Sequence, residues 1–520
     1  MPQGTTLSRW TRVLRARAFE IGLGVLVALQ GFSLLTLARV HPVWGDEGSY
    51  SDVAMSFARR GTFAQPFLSG DFGFERSNVA FGRLYTGALG LVYRFFGVGV
   101  LQGRLLSFAC GLAILALVYA ITRELRGSRA ASVWAAVLAA ASYSFFDTTH
   151  TIRPEIMLTA LAMCALYVLL VALRKRSVRL YAVAGLLAGA CADVHSNGMC
   201  VPIAIALVVV WLLGWRRAFR SVALPFGLGA MVAAVWWISV HVLPDPGLFA
   251  SQWGVWSTYG LPPAVQMVTH PITWIMTEAH KIVEPGTINV AILLLAGYWA
   301  MLLVSAAVLV PTWVRRENVE PESGADPDAD RLRYALVPLV YLASLTFAMT
   351  LIVSQRLQPY YVYAIPMIAS GAVLAIPFAR RLARQVLSVV LVGAVVLSIG
   401  ATGYASWKLR DADYEHFASQ IRGLVPADAR VFGWPDLRFA FLSDQLRGYT
   451  RELYERAPAG SFLVVGEDLD VASVASNPAL HRLIIDRGEL VGTVVDPVYG
   501  RNLSVSPSMP VYRTRVYRLK

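Results

Sequence analysis

Acidic side chains stand at two points where an apolar run of the chain meets a polar one. Asp46 and Glu47 are adjacent in HPVWGDEGSY, directly after the apolar run 19–40, and Glu155 closely follows Arg153 in FDTTHTIRPEIML. Ionisable groups at a membrane boundary are functional candidates, because burying charge there is costly. Acids in the first turn of a helix also pair with its dipole, so helix capping is the alternative for each of them.

A third candidate is the segment SQRLQPYYVYAIP, which begins near the outer end of a late apolar run. It contains Arg356, Tyr360 and Tyr361. A forked guanidinium suits phosphate oxygens, so Arg356 is a candidate phosphate ligand. Tyrosines at a membrane interface are also common as anchors, which is the simpler interpretation of this pair.

Two further polar clusters could line a binding site. His195 and Asn197 fall in CADVHSNGMC, a predicted tight turn where a histidine is often structural, and Glu278 and His280 fall in TEAHKIVEPG. Glu-x-His is weak evidence for a metal, and we expect no metal site and no required cofactor. The sequence has no GxxxxGK[ST], HExxH or GxSxG pattern, which argues against nucleotide-driven transport and zinc proteolysis.

The composition indicates where these side chains must be held. Of 520 residues, 56% are apolar and only 15% are charged, against about 25% charged in an ordinary soluble protein. The net charge is +13. In a soluble protein that would suggest nucleic acid, but here the arginines fall between apolar runs and mark loops on the cytoplasmic side. We expect membrane lipids, and no nucleic acid, as partners.

We predict eleven apolar membrane spans, several of which reach the roughly 20 residues that crossing a bilayer needs. Arginine-rich connections at alternate positions place the N-terminus in the cytoplasm and the end of the chain outside. The predicted spans are 19–40, 101–122, 130–146, 156–173, 180–194, 199–214, 222–243, 288–311, 334–354, 360–378 and 386–406.

The parts outside the membrane form three predicted pieces. The loop 41–100 contains two amphipathic stretches, 47–61 and 82–97, that are typical of interfacial helices. The loop 244–287 is rich in Trp, Pro and His. We predict a membrane module over 1–407 and an extracytoplasmic α/β domain over 408–520.

Within that terminal domain, three short segments are predicted as strands and two as helices. The alternation or the buried apolar character of the strands and the amphipathic character of the helices support this assignment. The strands are 429–434, 461–466 and 511–519, and the helices are 413–424 and 444–457.

The order of these motifs resembles the GT-C glycosyltransferases, in particular bacterial enzymes related to protein O-mannosyltransferases and to the lipid A aminoarabinose transferase. The resemblance is carried by GDEGSYSDVAMSFARRG from residue 45, RPEIMLTALA from 153, GLLAGACADVHSNG from 185 and RLQPYYVYAIP from 356, with an exterior domain at the end of the chain. It implies a GT-C fold of about 11 transmembrane helices that covers roughly 400 residues.

The resemblance also implies a reaction. Such enzymes move a monosaccharide from a polyprenyl-phosphate donor to a lipid, glycan or protein acceptor on the extracytoplasmic face of the cell membrane, with inversion. Asp46 is then the candidate base, with Glu47 as its support and Glu155 orienting the acceptor or sharing the base role. Candidate phosphate ligands are Arg153, Arg356, Arg83 and Arg76, and candidate substrate contacts are His195, Asn197, Tyr360, Tyr361, Glu278 and His280.

Two other function classes remain open on the sequence alone. A multi-span transporter or lipid flippase would share the boundary charges, but transporters bind substrate near the bilayer midplane. A lipid-linked glycan polymerase or ligase would share the exterior site. A common outward location for Asp46 and Glu155 favours a transferase, and a central two-sided path favours transport.

Overall fold

The computed structural model describes residues 17–40, 42–257, 269, 290–317, 327–352, 362–442, 444–466, 478–496 and 512–520. In chain order, the α-helices of these residues are α1 Ala18–Thr36, α2 Gly45–Arg60, α3 Arg83–Phe96, α4 Val100–Glu124, α5 Arg129–Ala141, α6 Tyr143–Thr149, α7 Pro154–Lys175, α8 Val178–Ala190, α9 Val201–Leu213, α10 Trp215–Ala218, α11 Leu224–His241, α12 Pro246–Ser257, α13 Val290–Glu317, α14 Pro327–Ala335, α15 Val337–Ile352, α16 Ile365–Ala375, α17 Arg381–Lys408, α18 Tyr414–Leu424, α19 Arg451–Arg456 and α20 Pro478–Arg487.

Shorter helical turns connect several of these elements. The chain between α10 and α11 forms a π-helical turn, and the turn after α8 carries the predicted His195 and Asn197. The turns are Pro66–Leu68, Cys191–Asp193, Ser196–Cys200, Phe219–Ala223, Ile376–Phe378 and Pro435–Phe439.

Apolar helices dominate the described part of the chain. Eight of them are long and apolar enough to cross a membrane, and the pair α5 and α6 would make a ninth if it forms one broken span. The chain is therefore a multi-pass membrane protein. The predicted total of eleven spans and the direction of the N-terminus stay predictions.

Three of the predicted spans differ from simple crossing helices. The predicted span 130–146 is two helices, α5 and α6, that are bent by 68° relative to each other. The predicted span 180–194 contains only the 13-residue α8, and 360–378 contains the 11-residue α16. Hydropathy records how apolar a run is, and it does not record where the backbone turns.

The helix α7 shows how local sequence fixes one wall of the bundle. Pro154 is its first residue, where a missing N–H costs nothing, and Glu155 lies in its first turn, as predicted. Arg174 and Lys175 occupy its last turn, where cations pair with the helix dipole. Arg176 ends it in the left-handed region, with φ of 51°.

Glycines let α8 and α11 pack with their backbones in contact. A Cβ at Gly185 would lie 1.9 Å from the Phe226 carbonyl oxygen, and one at Gly229 would lie 2.0 Å from that of Ala182. Small residues at such positions are typical of helix pairs in membranes. This tight pair anchors the turn Cys191–Asp193, which contacts the first loop at Gly82.

The two amphipathic stretches of the first loop are helical, as predicted. The stretch 47–61 corresponds to α2, and 82–97 corresponds to α3. The two helices pack against each other, and a Cβ at Gly90 of α3 would lie 2.9 Å from the Ala54 carbonyl oxygen of α2. Together they cover one end of the membrane bundle.

The terminal region forms a five-stranded mixed sheet of order β2-β1-β3-β5-β4. The strands β1 and β2 pair in parallel, as do β1 and β3, and β5 pairs antiparallel with both β3 and β4. The bounds are β1 Val431–Phe432, β2 Leu446–Arg447, β3 Phe462–Gly466, β4 Gly488–Asp496 and β5 Tyr512–Leu519.

Four of the predicted elements of this region agree with the sheet and one does not. The predicted strands 429–434, 461–466 and 511–519 contain β1, β3 and β5, and the predicted helix 413–424 contains α18. The predicted helix 444–457 is wrong in its first half, which is a turn and β2, and only α19 remains helical. The two residues of β2 form a strand because they pair with β1. The periodicity of the local sequence carries no information about that pairing.

Candidate active site

Three of the predicted site residues form one ion cluster at the end of the bundle where α2 begins. The Arg153 guanidinium donates from Nη1 to Asp46 Oδ2 at 2.6 Å and from Nη2 to Glu155 Oε1 at 2.5 Å. Its Nε lies 3.1 Å from each Glu155 oxygen. Arg153 therefore joins two carboxylates that are 109 positions apart in the sequence.

The two carboxylates of this cluster differ in access. The Asp46 side chain is 44% exposed, whereas the side chains of Arg153 and Glu155 are 3% and 0% exposed. Trp44 flanks the cluster, with its ring centroid 4.6 Å from Arg153 Cζ. Only Asp46 is placed to meet a substrate, and Glu155 lies behind the arginine.

The surroundings of Asp46 make its carboxylate more basic than an ordinary aspartate. Burial raises the pKa of Asp46, and the negative charges of Glu155 and Glu47 raise it further. The Arg153 guanidinium works in the opposite direction, but the pKa stays above its usual value. A raised pKa suits a carboxylate that must accept a proton.

Glu47 is adjacent to Asp46 but occupies a different environment. It forms a two-pronged ion pair with Arg104 of α4, with Nε to Oε1 and Nη2 to Oε2 both at 3.0 Å, and neither side chain is exposed. The Trp44 and Ile152 backbone N–H groups donate to the same carboxylate at 3.0 and 2.9 Å. The capping interpretation therefore applies to Glu47, which joins α2 to α4 and to the chain before α7.

His195 and Asn197 lie close to this cluster inside the protein. The Asn197 backbone N–H donates to His195 Nδ1 at 3.2 Å, so the imidazole caps its own turn. Burial lowers the pKa of His195, while the charge of Glu155 raises it. The pKa of His195 is lowered on balance, which favours the neutral ring whose Nδ1 accepts the Asn197 hydrogen bond. Asn197 Nδ2 is buried and has no hydrogen-bond partner among the described residues.

The two first-loop arginines are further from the cluster. Arg83 begins α3, its Cζ lies 5.2 Å from the Phe63 ring centroid, and its buried Nε has no partner among the described residues. Arg76 is exposed on the loop. The remaining predicted site residues lie outside the described residues: Arg356, Tyr360, Tyr361, Glu278 and His280.

Tyr85 is a candidate that sequence reasoning missed. It lies on the buried face of α3, and its hydroxyl has no hydrogen-bond partner among the described residues. Its ring packs edge-on against Tyr50 of α2, with centroids 5.6 Å apart. Burial raises the pKa of Tyr85, as do Tyr93, Tyr50 and Glu155, so the hydroxyl keeps its proton and can donate.

Asp193 connects the start of α3 to α11 through hydrogen bonds. Its Oδ1 accepts from the Arg83 backbone N–H at 3.1 Å and lies 2.7 Å from His241 Nε2, and its Oδ2 accepts from Trp236 Nε1 at 3.0 Å. His241 Nδ1 lies 2.9 Å from the Val79 carbonyl oxygen, to which it donates. This network fixes the start of α3 against the tight pair α8 and α11.

The terminal region also reaches the site, which sequence reasoning did not foresee. Arg438 donates from Nε to Asp52 of α2 at 2.6 Å, and both side chains are buried. The Phe67 backbone N–H donates to the other Asp52 oxygen at 2.8 Å. At Gly48, a Cβ would lie 1.7 Å from the Pro435 carbonyl oxygen, so the turn Pro435–Phe439 rests on the backbone of α2.

A metal centre finds no support in the described residues. Nowhere in those ranges do three His, Cys, Asp or Glu side chains come together as metal ligands would. The acidic side chains of the candidate site are already paired with Arg153 and Arg104. That no metal or cofactor is required stays a prediction.

Comparisons with known proteins agree with this geometry. Residues 86–243 match the family model described as dolichyl-phosphate-mannose-protein mannosyltransferase. The fold is similar to the crystal structure of ArnT from Cupriavidus metallidurans bound to undecaprenyl phosphate, with a TM-score of 0.57, 13% identity, and coverage of 95% of this chain and 97% of that one. For the same protein in the apo state, the TM-score is 0.56 at 14% identity, with 98% of each chain covered. A search of curated protein sequences gave no significant match.

The matched domain and the fold point to similarity with the same class of proteins, the GT-C glycosyltransferases of membranes. This confirms the resemblance drawn from the sequence. The part that carries α3 to α11 matches the mannosyltransferase family model, and the similarity of fold extends over nearly the whole chain.

Proposed function

We propose that this protein transfers a monosaccharide from a polyprenyl-phosphate donor to an acceptor hydroxyl at the extracytoplasmic face of the membrane. One observation carries the proposal. Asp46 is a half-exposed carboxylate of raised pKa, held by an otherwise buried Arg153 at the mouth of the bundle. The similar fold of ArnT, solved with undecaprenyl phosphate, supports a lipid phosphate as the leaving group.

The reaction we propose is a single displacement. Asp46 accepts the proton of the acceptor hydroxyl, and the hydroxyl oxygen forms a bond to the anomeric carbon of the donor sugar. The bond from that carbon to the phosphate oxygen breaks, and the polyprenyl phosphate leaves with the electron pair. Because one bond forms on the face opposite the breaking bond, the anomeric configuration inverts.

The arginines have two proposed roles, orienting Asp46 and binding the donor phosphate. The Arg153 guanidinium already faces two carboxylates, Asp46 and Glu155. We therefore assign it to orienting Asp46 rather than to the donor phosphate. Arg83 is the better phosphate candidate among the described residues, since its Nε has no partner there. Arg356 is the second candidate, on its sequence pattern alone.

The site geometry favours this reaction over transport. Asp46 and Glu155 share one arginine at one end of the bundle, and Asp46 opens to the outside there. A transporter would need its charged groups near the middle of the membrane, reachable from both faces. The exterior direction follows from the arginine distribution of the loops and belongs to the proposal.

Donor turnover tests the proposal. Purified protein is given a panel of radiolabelled polyprenyl-phosphate monosaccharides with membrane extract as acceptor, next to Asp46→Asn and the control Asp428→Asn, which changes an exposed aspartate of the terminal region. We expect transfer by the wild type and the control, and none by Asp46→Asn. If folded wild type consumes no donor but moves sugar or lipid across liposome membranes, the transporter is correct.

A further inference from the structure

A cavity separate from the candidate active site lies between the first and last long helices. Its volume is about 190 Å³, and an apolar cavity of roughly 150 Å³ already accommodates a benzene molecule. The lining comes from α1, α5, α6 and α17, and none of it belongs to the Asp46 cluster. The lining residues are Leu29, Gln30, Phe32, Ser33, Ala140, Ala141, Phe145, Phe146, Thr149, Ile399, Thr402 and Gly403.

The cavity opens at the lipid-facing surface of the bundle. Phe32 and Ile399 line it and are 39% and 43% exposed. Both α1 and α17 bury little of their surface inside the protein. They are held together at one end, where Val40, Leu409 and Phe146 pack as a small apolar cluster. Below that cluster, the space between them is open to a hydrocarbon chain.

Cations stand directly above the cavity, at the same end as Asp46. Arg39 follows α1, and its Nη1 donates to the Arg410 carbonyl oxygen at 3.3 Å; Lys408 ends α17. We call Arg39, Lys408 and Arg410 the cationic rim. At 1.5 Å per residue, Lys408 lies roughly 7 to 8 Å beyond Gly403 along α17.

Aromatic rings hold two of the rim cations at that level. Lys408 Nζ lies 6.0 Å from the Tyr404 ring centroid, and Arg410 Cζ lies 5.5 Å from that of Trp407. Tyr and Trp at a helix end are typical of the headgroup layer of a membrane. Asp411 pairs with Arg410 at 3.2 Å, beside the three basic side chains of the rim.

We propose that this place is a binding site for an anionic phospholipid, with an acyl chain in the cavity and its phosphate on the cationic rim. The distance from the cationic rim to the cavity matches that between a lipid headgroup and its acyl chain. The basic side chains of the rim complement the negative charge of a phosphate. The occupant is a resident lipid and not the polyprenyl donor. His150 links two of the helices that line the cavity, with Nε2 3.0 Å from the Ser33 carbonyl oxygen of α1 and Nδ1 2.7 Å from that of Phe146 of α6.

Filling the cavity tests the chain-binding half of the proposal. A Cβ at Gly403 meets no atom within 4 Å, and Gly403 lines the cavity, so Gly403→Leu adds apolar volume there. Gly400→Leu is the matched control, because Gly400 is equally open, lies on the same helix and does not line the cavity. Full-length protein in detergent is incubated with phosphatidylglycerol or phosphatidylcholine and examined by native mass spectrometry, with thermal unfolding as the check on folding.

We expect wild type and Gly400→Leu to retain phosphatidylglycerol in preference to phosphatidylcholine, and Gly403→Leu to lose that retention. The charge half is tested with Arg39→Gln and Lys408→Gln, each of which should weaken retention about fivefold. Equal retention of both lipids, or equal loss in the two glycine variants, overturns the proposal. It is also overturned if undecaprenyl phosphate displaces the phosphatidylglycerol one for one, which would make the cavity a donor site.

Discussion

Asp46 and Glu47 show how neighbouring carboxylates of one helix acquire different roles. Successive side chains on a helix point about 100° apart. Asp46 consequently faces the mouth of the site at 44% exposure, while Glu47 points inward and is fully buried against Arg104. We assign the chemistry to Asp46 and the attachment of α2 to Glu47.

The pH dependence of transfer should report on Asp46. The pKa of Asp46 is raised, so transfer should fall as the pH drops through this raised pKa, because the protonated carboxyl cannot accept a proton. Glu155→Gln removes a negative charge that raises the pKa of Asp46. Its acid limb should therefore move to lower pH, whatever happens to the maximal rate. Initial transfer rates from pH 4 to 8 measure this shift of the pH–rate profile. Asp428→Asn is the control, whose profile should match that of the wild type. An unshifted acid limb in Glu155→Gln would exclude Asp46 as the base.

We expect replacement of Glu47 to lower the free energy of unfolding, because its role is structural and not chemical. Glu47→Gln leaves Arg104 as a buried charge without its partner, which typically costs about 3–5 kcal/mol of the free energy of unfolding. The double variant Glu47→Gln with Arg104→Met should recover part of that loss. Thermal unfolding in detergent measures both. A Glu47→Gln protein that is as stable as wild type and yet inactive would instead place Glu47 in the reaction.

For single residues, the sequence predicts a candidate site side chain where a charged residue stands at the end of an apolar run. Asp46, Arg153 and Glu155 were foreseen, because each lies at the end of an apolar run. Arg104 was not, since it lies within the apolar α4 and its partner is 57 positions away. Tyr85 was also missed, because nothing in the sequence distinguishes a tyrosine at the site from one in the core.

At the scale of elements, α2 is the part on which the site depends. It carries Asp46, joins α4 through Glu47, and meets the terminal region through Gly48 and Asp52. Amphipathic periodicity was enough to predict α2 and α3. It could not predict that the turn Pro435–Phe439 rests on α2, because that contact spans nearly 390 residues of the chain.

A methyl group at Gly48 should separate these two elements. Gly48→Ala places a Cβ 1.7 Å from the Pro435 carbonyl oxygen, so the turn must move away from α2. We expect a loss of stability of about 1–3 kcal/mol, typical of overpacking, and a fall in transfer rate. Gly423→Ala is the control, because it lies in α18 with no atom within 4 Å of its Cβ and should stabilise the helix slightly. Equal behaviour of the two variants would show that the contact at Gly48 is unimportant.

At the scale of the whole molecule, the membrane part and the terminal region form one functional unit. Arg59 and Arg60 of α2 donate to the Leu442 carbonyl oxygen and to Asp444, both at 2.7 Å, and the Gly448 N–H donates to the Phe67 carbonyl oxygen at 2.7 Å. The predicted domain boundary near residue 408 stays a prediction, and the terminal region beyond α17 is in close contact with the membrane part. We therefore expect loss of the terminal region to abolish the activity of the membrane part.

A chain that ends at residue 410 should insert in the membrane and still be inactive. Without Arg438, Asp52 becomes a buried carboxylate with no cation, and α2 loses the support above Asp46. Transfer assays on membranes that contain equal amounts of the two chains measure the effect. The milder variant Arg438→Met should show the same direction with a smaller loss, and full transfer by the shortened chain would limit the terminal region to acceptor choice.

The ion pair between Asp52 and Arg438 also has a consequence for biosynthesis. Arg438 emerges from the ribosome 386 residues after Asp52, when α17 has already been made. The helix that carries the proposed base is therefore made long before its contact with Arg438 can form. Under the proposed function, a chain that has not yet reached Arg438 would lie in the membrane without the contact that supports α2 and Asp46, and it would leave donor lipid unconsumed.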